Sequence, residues 1–313
     1  MKVGIIGAGQ VGATAAYALI NQGIGREIVL VDLNRDRAIA EANDLRHAVP
    51  FTNPLLVHQG DYPDLEGSRI VVICAGVSQQ PGEPRLSLLE RNAKVFQSII
   101  PRVLEAAPNT VLLIATNPVD VMTHLAADYA SEFDVPTSRV IGTGTTLDTA
   151  RFRSLLGSHL EVDAAHVHGY VLGEHGDSEL IPFSPVTVGN IPLEEFCEQW
   201  EICLDEKDKL AIDAQVRNAA YEIIAGKGAT YYGVGSAIAK IVSVVLADQR
   251  AILTVSGYHK QVSGVKDVTL SLPHLLGGEG ILNVLKIPLT PEEEEQLERS
   301  AGVIKKALET IKK

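Results

Sequence analysis

The sequence predicts an α/β fold: a doubly wound parallel sheet first, then an α+β domain. Three observations carry this. The apolar runs Val3–Ile6, Glu27–Val31, Arg69–Cys74 and Val111–Ala115 are continuous rather than alternating, as strands covered on both faces must be. They recur at the spacing of strand–helix–strand units. Each run is followed at once by residues that break a strand: Gly7, Asp32, Ala75-Gly76 and Thr116-Asn117-Pro118.

The first strand leads into Gly7-Ala8-Gly9-Gln10-Val11-Gly12, and Ala13–Ile20 continues with helical character. Gly7 allows the tight turn, Gly9 lets a pyrophosphate approach the backbone, and Gly12 permits close helix–strand packing. The helix N-terminus offers unpaired N–H groups and the positive end of its dipole to phosphates. The second strand ends in Asp32, 20 positions beyond Gly12. There a carboxylate accepts hydrogen bonds from both ribose hydroxyls and repels the extra phosphate of NADP, so NAD is expected. A glycine motif alone is weak; strand, helix, second strand and terminal acid together make a Rossmann-type dinucleotide fold. Its expected cofactor-binding residues are Gly7, Gly9, Gln10, Val11, Gly12, Asp32, Gly76 and Asn117.

The third strand is followed by Val77-Ser78-Gln79-Gln80-Pro81-Gly82-Glu83-Pro84-Arg85. Prolines, a glycine and polar residues cannot continue either regular element. With one cation and two neutral amides at the cofactor mouth, the loop has the composition of a substrate lid. The fourth strand delivers Asn117 to the same mouth, although a turn-forming role before Pro118 accounts for it equally well.

In the second half, threonines before Leu147 are placed to cap a helix, with Asp148 in its first turn. Asp148 and Arg151 share one helical face, and Arg153 points elsewhere; a plain surface ion pair is the competing explanation. Beyond the run Tyr170-Val171-Leu172, read as a strand giving way to a loop, comes Gly173-Glu174-His175-Gly176-Asp177-Ser178. Imidazole both gives and takes a proton near neutral pH, yet a lone histidine is more often structural.

Together these motifs resemble the L-lactate/malate dehydrogenase family, and within it the bacterial L-lactate branch. The resemblance runs from Lys2 to the C-terminal helix. It rests on the glycine motif with Asp32, Gln79-x-Pro-Gly-x-x-Arg85, Thr116-Asn117-Pro118-Val119-Asp120, Leu147-Asp148-x-x-Arg151-Phe152-Arg153, the hexapeptide at His175 and Lys227-Gly228-Ala229-Thr230-Tyr231-Tyr232. It implies an NAD-binding Rossmann domain over 1–142 and a catalytic, substrate-holding domain over 143–313. It further implies that Arg151 anchors the substrate carboxylate, His175 exchanges a proton with the substrate oxygen, and Asp148 orients and stabilises the imidazolium. Arg85 would polarise the carbonyl on lid closure, Asn117 would bond near the substrate oxygen, and Thr230 would line the pocket. Malate enzymes of the family tend to carry arginine at the lid position held here by Gln79. A second carboxylate closed in without a cation is costly, so pyruvate and L-lactate are expected over oxaloacetate and malate. Pro84 departs from the family's usual Ser or Thr and stiffens the lid.

Arg153 and His168 match positions where bacterial members bind fructose 1,6-bisphosphate across a subunit interface, with an ordinary salt bridge and a strand histidine, His166 beside it on the same face, as the alternative. The resemblance implies a homotetramer. The net charge of −12 speaks against nucleic acid or membrane surfaces as partners. No signal peptide or span is evident, so a cytoplasmic protein is expected. Cys74, Cys197 and Cys203 show no paired or metal-ligand spacing. Thr290-Pro291-Glu292 starts an amphipathic C-terminal helix with Leu297, Ala301, Ile304 and Leu308 as its stripe. Two competing functions are a malate dehydrogenase and a catalytically idle NAD-binding module.

Overall fold

The computed structural model describes residues 1–77 and 85–311, the side chains of Arg85 and Leu86 excepted. The first half runs β1 (Lys2–Ile6), α1 (Gln10–Asn21), β2 (Glu27–Val31), α2 (Arg35–Ala48), β3 (Leu56–Gln59), β4 (Ser68–Ile73), α3 (Arg85–Ala106), β5 (Val111–Ile114), α4 (Val119–Ser131) and β6 (Val140–Gly142). The six strands are parallel in the order β3-β2-β1-β4-β5-β6. The order reverses between β1 and β4, which opens a crevice beyond their carboxyl ends.

The second half begins with α5 (Thr146–His159), a small sheet of β7 (Val167–His168), β8 (Thr187–Val188) and β9 (Ile191–Pro192), and α6 (Leu193–Trp200). Then come α7 (Glu206–Lys227), α8 (Tyr232–Ala247), β10 (Ala251–Leu253), β11 (Ser256–Val262), β12 (Val265–Ser271), β13 (His274–Gly277), β14 (Gly280–Val284) and α9 (Pro291–Ile311). The β11–β12 hairpin joins β6 in antiparallel fashion through Ser256 opposite Gly142, extending the sheet to eight strands. Neither this hairpin nor β3 and β6 was among the strands expected from the sequence.

Because successive strand residues face opposite ways, each apolar run feeds two cores. Val29, Val31, Val71, Ile73 and Leu112 pack under α3, α4 and α9, against Phe96, Ile100, Met122 and Ile304. Ile28, Leu30, Ile70, Val72 and Leu113 pack under α1 and α8, against Leu19, Ile20, Ile238 and Val242. All are buried, each contributing roughly 1.5–3 kcal/mol relative to exposure. A third core, built on Phe152, Leu156, Val171, Phe196 and Val216, holds the second half together.

Two local expectations are corrected. Tyr170–Leu172 is not a regular strand: only isolated bridges form, Leu172 with Leu180 and Gly173 with Ser271. The backbone of Val171 is held by threonines at the start of α5 and just before it instead, its N–H donating to Thr149 Oγ1 at 2.9 Å and its carbonyl accepting from Thr145 Oγ1 at 2.5 Å. For that reason no threonine side chain caps α5. His166 ends a one-turn 3₁₀ helix rather than sharing a strand face with His168. At α9, Thr290 Oγ1 accepts from the Glu293 N–H at 3.2 Å and Glu293 Oε2 accepts from the Thr290 N–H at 2.9 Å, a reciprocal cap. Leu297, Ala301, Ile304 and Leu308 are buried.

Candidate active site

The crevice beyond β1 and β4 measures about 1580 Å³ and is lined by Gly7, Gly9, Gln10, Val11, Asp32, Gly76 and Thr230 among others. Its glycine turn tests whether a dinucleotide fits. Gly7 has φ +97°, and a Cβ there would come within 2.7 Å of the Ala75 nitrogen; a Cβ on Gly12 would lie 2.0 Å from the Gly7 carbonyl oxygen. At Gly9 an added Cβ meets nothing within 4 Å, so open space lies where a pyrophosphate must approach. Gly9 precedes α1 with no side-chain cap, leaving the first-turn N–H groups available to an anion. Asp32 accepts from the Ala8 N–H at 2.7 Å and the Asn34 N–H at 2.8 Å. These bonds fix a carboxylate that keeps free lone pairs for ribose hydroxyls. The residues present fit NAD.

Asn117 is exposed at the carboxyl end of β5. Thr230 belongs to the segment leading into α8, and Gly233 in the first turn of α8 lies against Leu147 of α5: a Cβ there would stand 3.1 Å from Leu147 Cδ1. The segment thus ties the cofactor crevice to the start of α5, where Asp148 sits. Gln79 and Pro84 lie outside the described residues, as does the side chain of Arg85, whose backbone opens α3.

Asp148 is almost fully buried in the first turn of α5, and its two oxygens are divided. Oδ2 meets His175 Nδ1 at 2.6 Å and Oδ1 accepts from Arg151 Nη1 at 2.7 Å. This is a buried ion cluster rather than a surface pair. The imidazole stays 28 % exposed, so with Nδ1 engaged its other nitrogen is the one left to meet a substrate. Gly173, at φ +88°, turns the chain so tightly that a Cβ would stand 2.4 Å from Ser300 Oγ. The same hydroxyl accepts from the Glu174 N–H at 2.8 Å, and Ser178 Oγ donates to Glu174.

Asp120, at the start of α4, fixes the histidine's main chain. Its Oδ2 accepts from the His175 N–H at 2.7 Å, and its Oδ1 accepts from Ser256 Oγ. The TNPVD motif displayed Asp120, but its use depends on Ser256, 136 positions away, which no local pattern reveals. A further acid was missed altogether: Glu179, 5 % exposed. Its carboxyl, the Asp148 carboxyl and a His175 ring nitrogen lie within 4.8 Å of one another.

Burial pushes the His175 imidazole down, but the charge of Asp148 and the bond to it outweigh burial and raise it to about 9. Burial likewise opposes ionisation of Asp148, and the charges of His175 and Arg151 overcome it, holding the carboxyl below its usual range. Burial raises Asp120 to about 6 against the bonds from Ser256 and His175. The arrangement favours an imidazolium paired with a carboxylate at neutral pH, a proton donor beside a cation.

Arg153 leaves this cluster: its Nε donates to the Gly169 carbonyl at 2.9 Å, and its guanidinium lies 5.1 Å from the centre of the Tyr170 ring. His168, next to Gly169, is exposed. The three cysteines are free thiols. No helix among the described residues is long and apolar enough to cross a membrane.

A dinucleotide crevice joined to a carboxylate–imidazole–guanidinium cluster defines a nicotinamide-dependent oxidoreductase. The family profile of the lactate/malate dehydrogenase NAD-binding domain matches residues 1–142, and that of the family's alpha/beta C-terminal domain matches 145–313. The chain belongs to the lactate/malate dehydrogenase family, and its cofactor is NAD. It is 56 % identical over 311 residues to an L-lactate dehydrogenase of Geotalea daltonii, covering 99 % of both chains. It is 51 % identical to that of Thermus aquaticus over 99 % of each. Among solved structures, the minor L-lactate dehydrogenase of Enterococcus mundtii in its ligands-bound form superposes with a TM-score of 0.94 at 39 % identity, covering 99 % and 98 % of the two chains. MGS-M5, a lactate dehydrogenase from a deep-sea metagenome library, gives 0.96 at 38 % over 100 % and 99 %.

Proposed function

We propose that the protein is an NAD-dependent L-lactate dehydrogenase, interconverting pyruvate and L-lactate with His175 as general acid and base. The observation that carries this is the 2.6 Å pairing of His175 Nδ1 with a buried Asp148 that also holds Arg151. NADH, when bound in the crevice, supplies the hydride that the substrate carbon accepts.

Arg151 uses one Nη donor on Asp148. The rest of its planar fork makes parallel charge-assisted bonds to the substrate carboxylate. His175, as imidazolium, gives the proton on its free nitrogen to the carbonyl oxygen; in the reverse direction the neutral ring removes the hydroxyl proton. Asp148 holds the Nδ1 proton, so the ring keeps one tautomer and one orientation throughout. Arg85 and Asn117 stabilise the negative charge developing on the oxygen, and Thr230 closes the pocket wall. Residues 1–142 act as the NAD-binding domain and 143–313 as the substrate domain of a cytoplasmic homotetramer, with Arg153 and His168 receiving fructose 1,6-bisphosphate.

Gln79 sets the choice of keto acid by its chemistry: an uncharged amide tolerates a methyl group and offers a second carboxylate no cation. Following NADH absorbance with pyruvate and with oxaloacetate tests the function directly. The wild type is expected to prefer pyruvate, and Gln79→Arg to shift the kcat/KM ratio towards oxaloacetate by at least about tenfold. A wild type that prefers oxaloacetate overturns the assignment, and one that turns over neither substrate is an idle binding module.

A further inference from the structure

Behind the His175–Asp148 pair lies the acid that the mechanism leaves unused. Glu179 closes the 173–178 turn, its N–H donating to the Gly176 carbonyl at 3.1 Å. Its Oε1 is buried with no hydrogen-bond partner among the described residues. Leaving such an atom unpaired is costly, and an apolar side chain would fill the space without that cost. A carboxyl here therefore calls for an electrostatic account.

The charged groups around it come from four elements. α5 presents Asp148 with Arg151 beyond it, and the 173–178 turn presents His175. α7 presents Arg217 and Asp213, which pair at 2.7 and 2.8 Å, and α4 places Asp120 behind the histidine's backbone. Burial and the negative charge of Asp148 push the Glu179 carboxyl up to about 8, against the pull of His175 and Arg217. On its far side Glu179 lines a second cavity with Asp177, Ser178, Asp213 and Arg217, which gives water a route to it.

We propose that Glu179 is a positioning residue that acts through His175, binding and releasing a proton in opposition to the imidazole and so setting how firmly the imidazole holds its own. This rests on the assignment of His175 as general acid and base. An opposite charge this close favours the charged form of its neighbour. Ionised Glu179 thus keeps His175 protonated at pH values where it would otherwise turn neutral. The coupling is mutual. When the ring passes its proton to the substrate oxygen, Glu179 loses a nearby cation and takes a proton from water in the second cavity.

The test compares wild type, Glu179→Gln and His175→Asn by the pH dependence of kcat/KM for pyruvate. Glu179→Gln is expected to keep the neutral plateau within about threefold and to move the alkaline limb down by about half a pH unit or more. His175→Asn is expected to lose about 10²–10⁴-fold at every pH. A His175→Asn enzyme with the wild-type profile sinks the assignment of His175, whatever Glu179 does. With His175→Asn inactive, a Glu179→Gln limb that coincides with wild type overturns the proposal. So does a lowered plateau with an unmoved limb, which marks a structural role only. Wild-type protein with ¹³C-labelled glutamate side chains gives a readout independent of folding variants. The Glu179 carboxyl should titrate near pH 8, with a matching inflection in the His175 ring signal; titration in the ordinary carboxylate range overturns the proposal.

Discussion

Asp148 concentrates the chemistry of the site in one side chain: it is buried, its oxygens divided between a ring to be protonated and a cation to be aimed. Asp148→Asn keeps the shape and removes the charge. The raised His175 proton affinity depends on that charge, so the ring should fall from about 9 towards its ordinary value. In the proposed mechanism the imidazolium gives pyruvate its proton as the hydride arrives, so the alkaline limb of kcat/KM should move to lower pH. kcat itself should fall by about 10²–10⁴-fold as orientation and charge are lost together. A pH–rate profile of the variant checks both; an unmoved limb contradicts the charge account. At this scale the sequence displayed His175, Asp148 and Arg151 plainly, because each sits inside a motif whose residue types announce proton transfer and carboxylate binding. Glu179 and Asp120 were not legible as parts of the site. Their surroundings come from β11 reaching Asp120 and α7 reaching Glu179, contacts far away in sequence.

Elements were legible where one local signal decided them. The glycine turn fixed the start of α1, and the Thr290–Glu293 cap fixed the start of α9. β3 and the β11–β12 hairpin escaped because their apolar residues are interrupted by polar ones such as His58, His259 and Gln261, and β6 because it is only three residues long. The hairpin also carries a pH liability. His259 of β11 and His274 of β13 stack with ring centroids 5.1 Å apart and Nε2 atoms at 3.2 Å. Burial lowers them to about 4 and about 3. Both rings are neutral in the folded protein, whereas the unfolded chain binds protons there below about pH 6.5. Their contribution is therefore fully present above that pH and is lost as pH falls towards the folded values. For His274, 1 % exposed, the loss between pH 7 and 5 is about 2 kcal/mol. Thermal melts over that range should show His274→Gln losing less stability than wild type; parallel losses contradict the account.

At the scale of the whole molecule, the sheet takes strands from both halves of the chain, and α8 and α9 of the second half cover its two faces. The two-part division was readable from motif order, but not this interlocking, which follows from which faces remained to be covered. The same scale holds the regulatory prediction. An acidic chain of net charge −12 repels a bisphosphate unless cations are supplied locally, which is the part proposed for Arg153 and His168. Pyruvate saturation curves with fructose 1,6-bisphosphate should show half-saturation at lower pyruvate, by about five-fold or more; superimposable curves remove the assignment. The anchoring of the histidine has one more consequence. Its main chain is bolted to α4 through Asp120, its ring to α5 through Asp148, and the preceding residue to α9 through Ser300. The hexapeptide is therefore no portable cassette: grafted into another scaffold without those three helices, it would carry a histidine but not an acid–base catalyst.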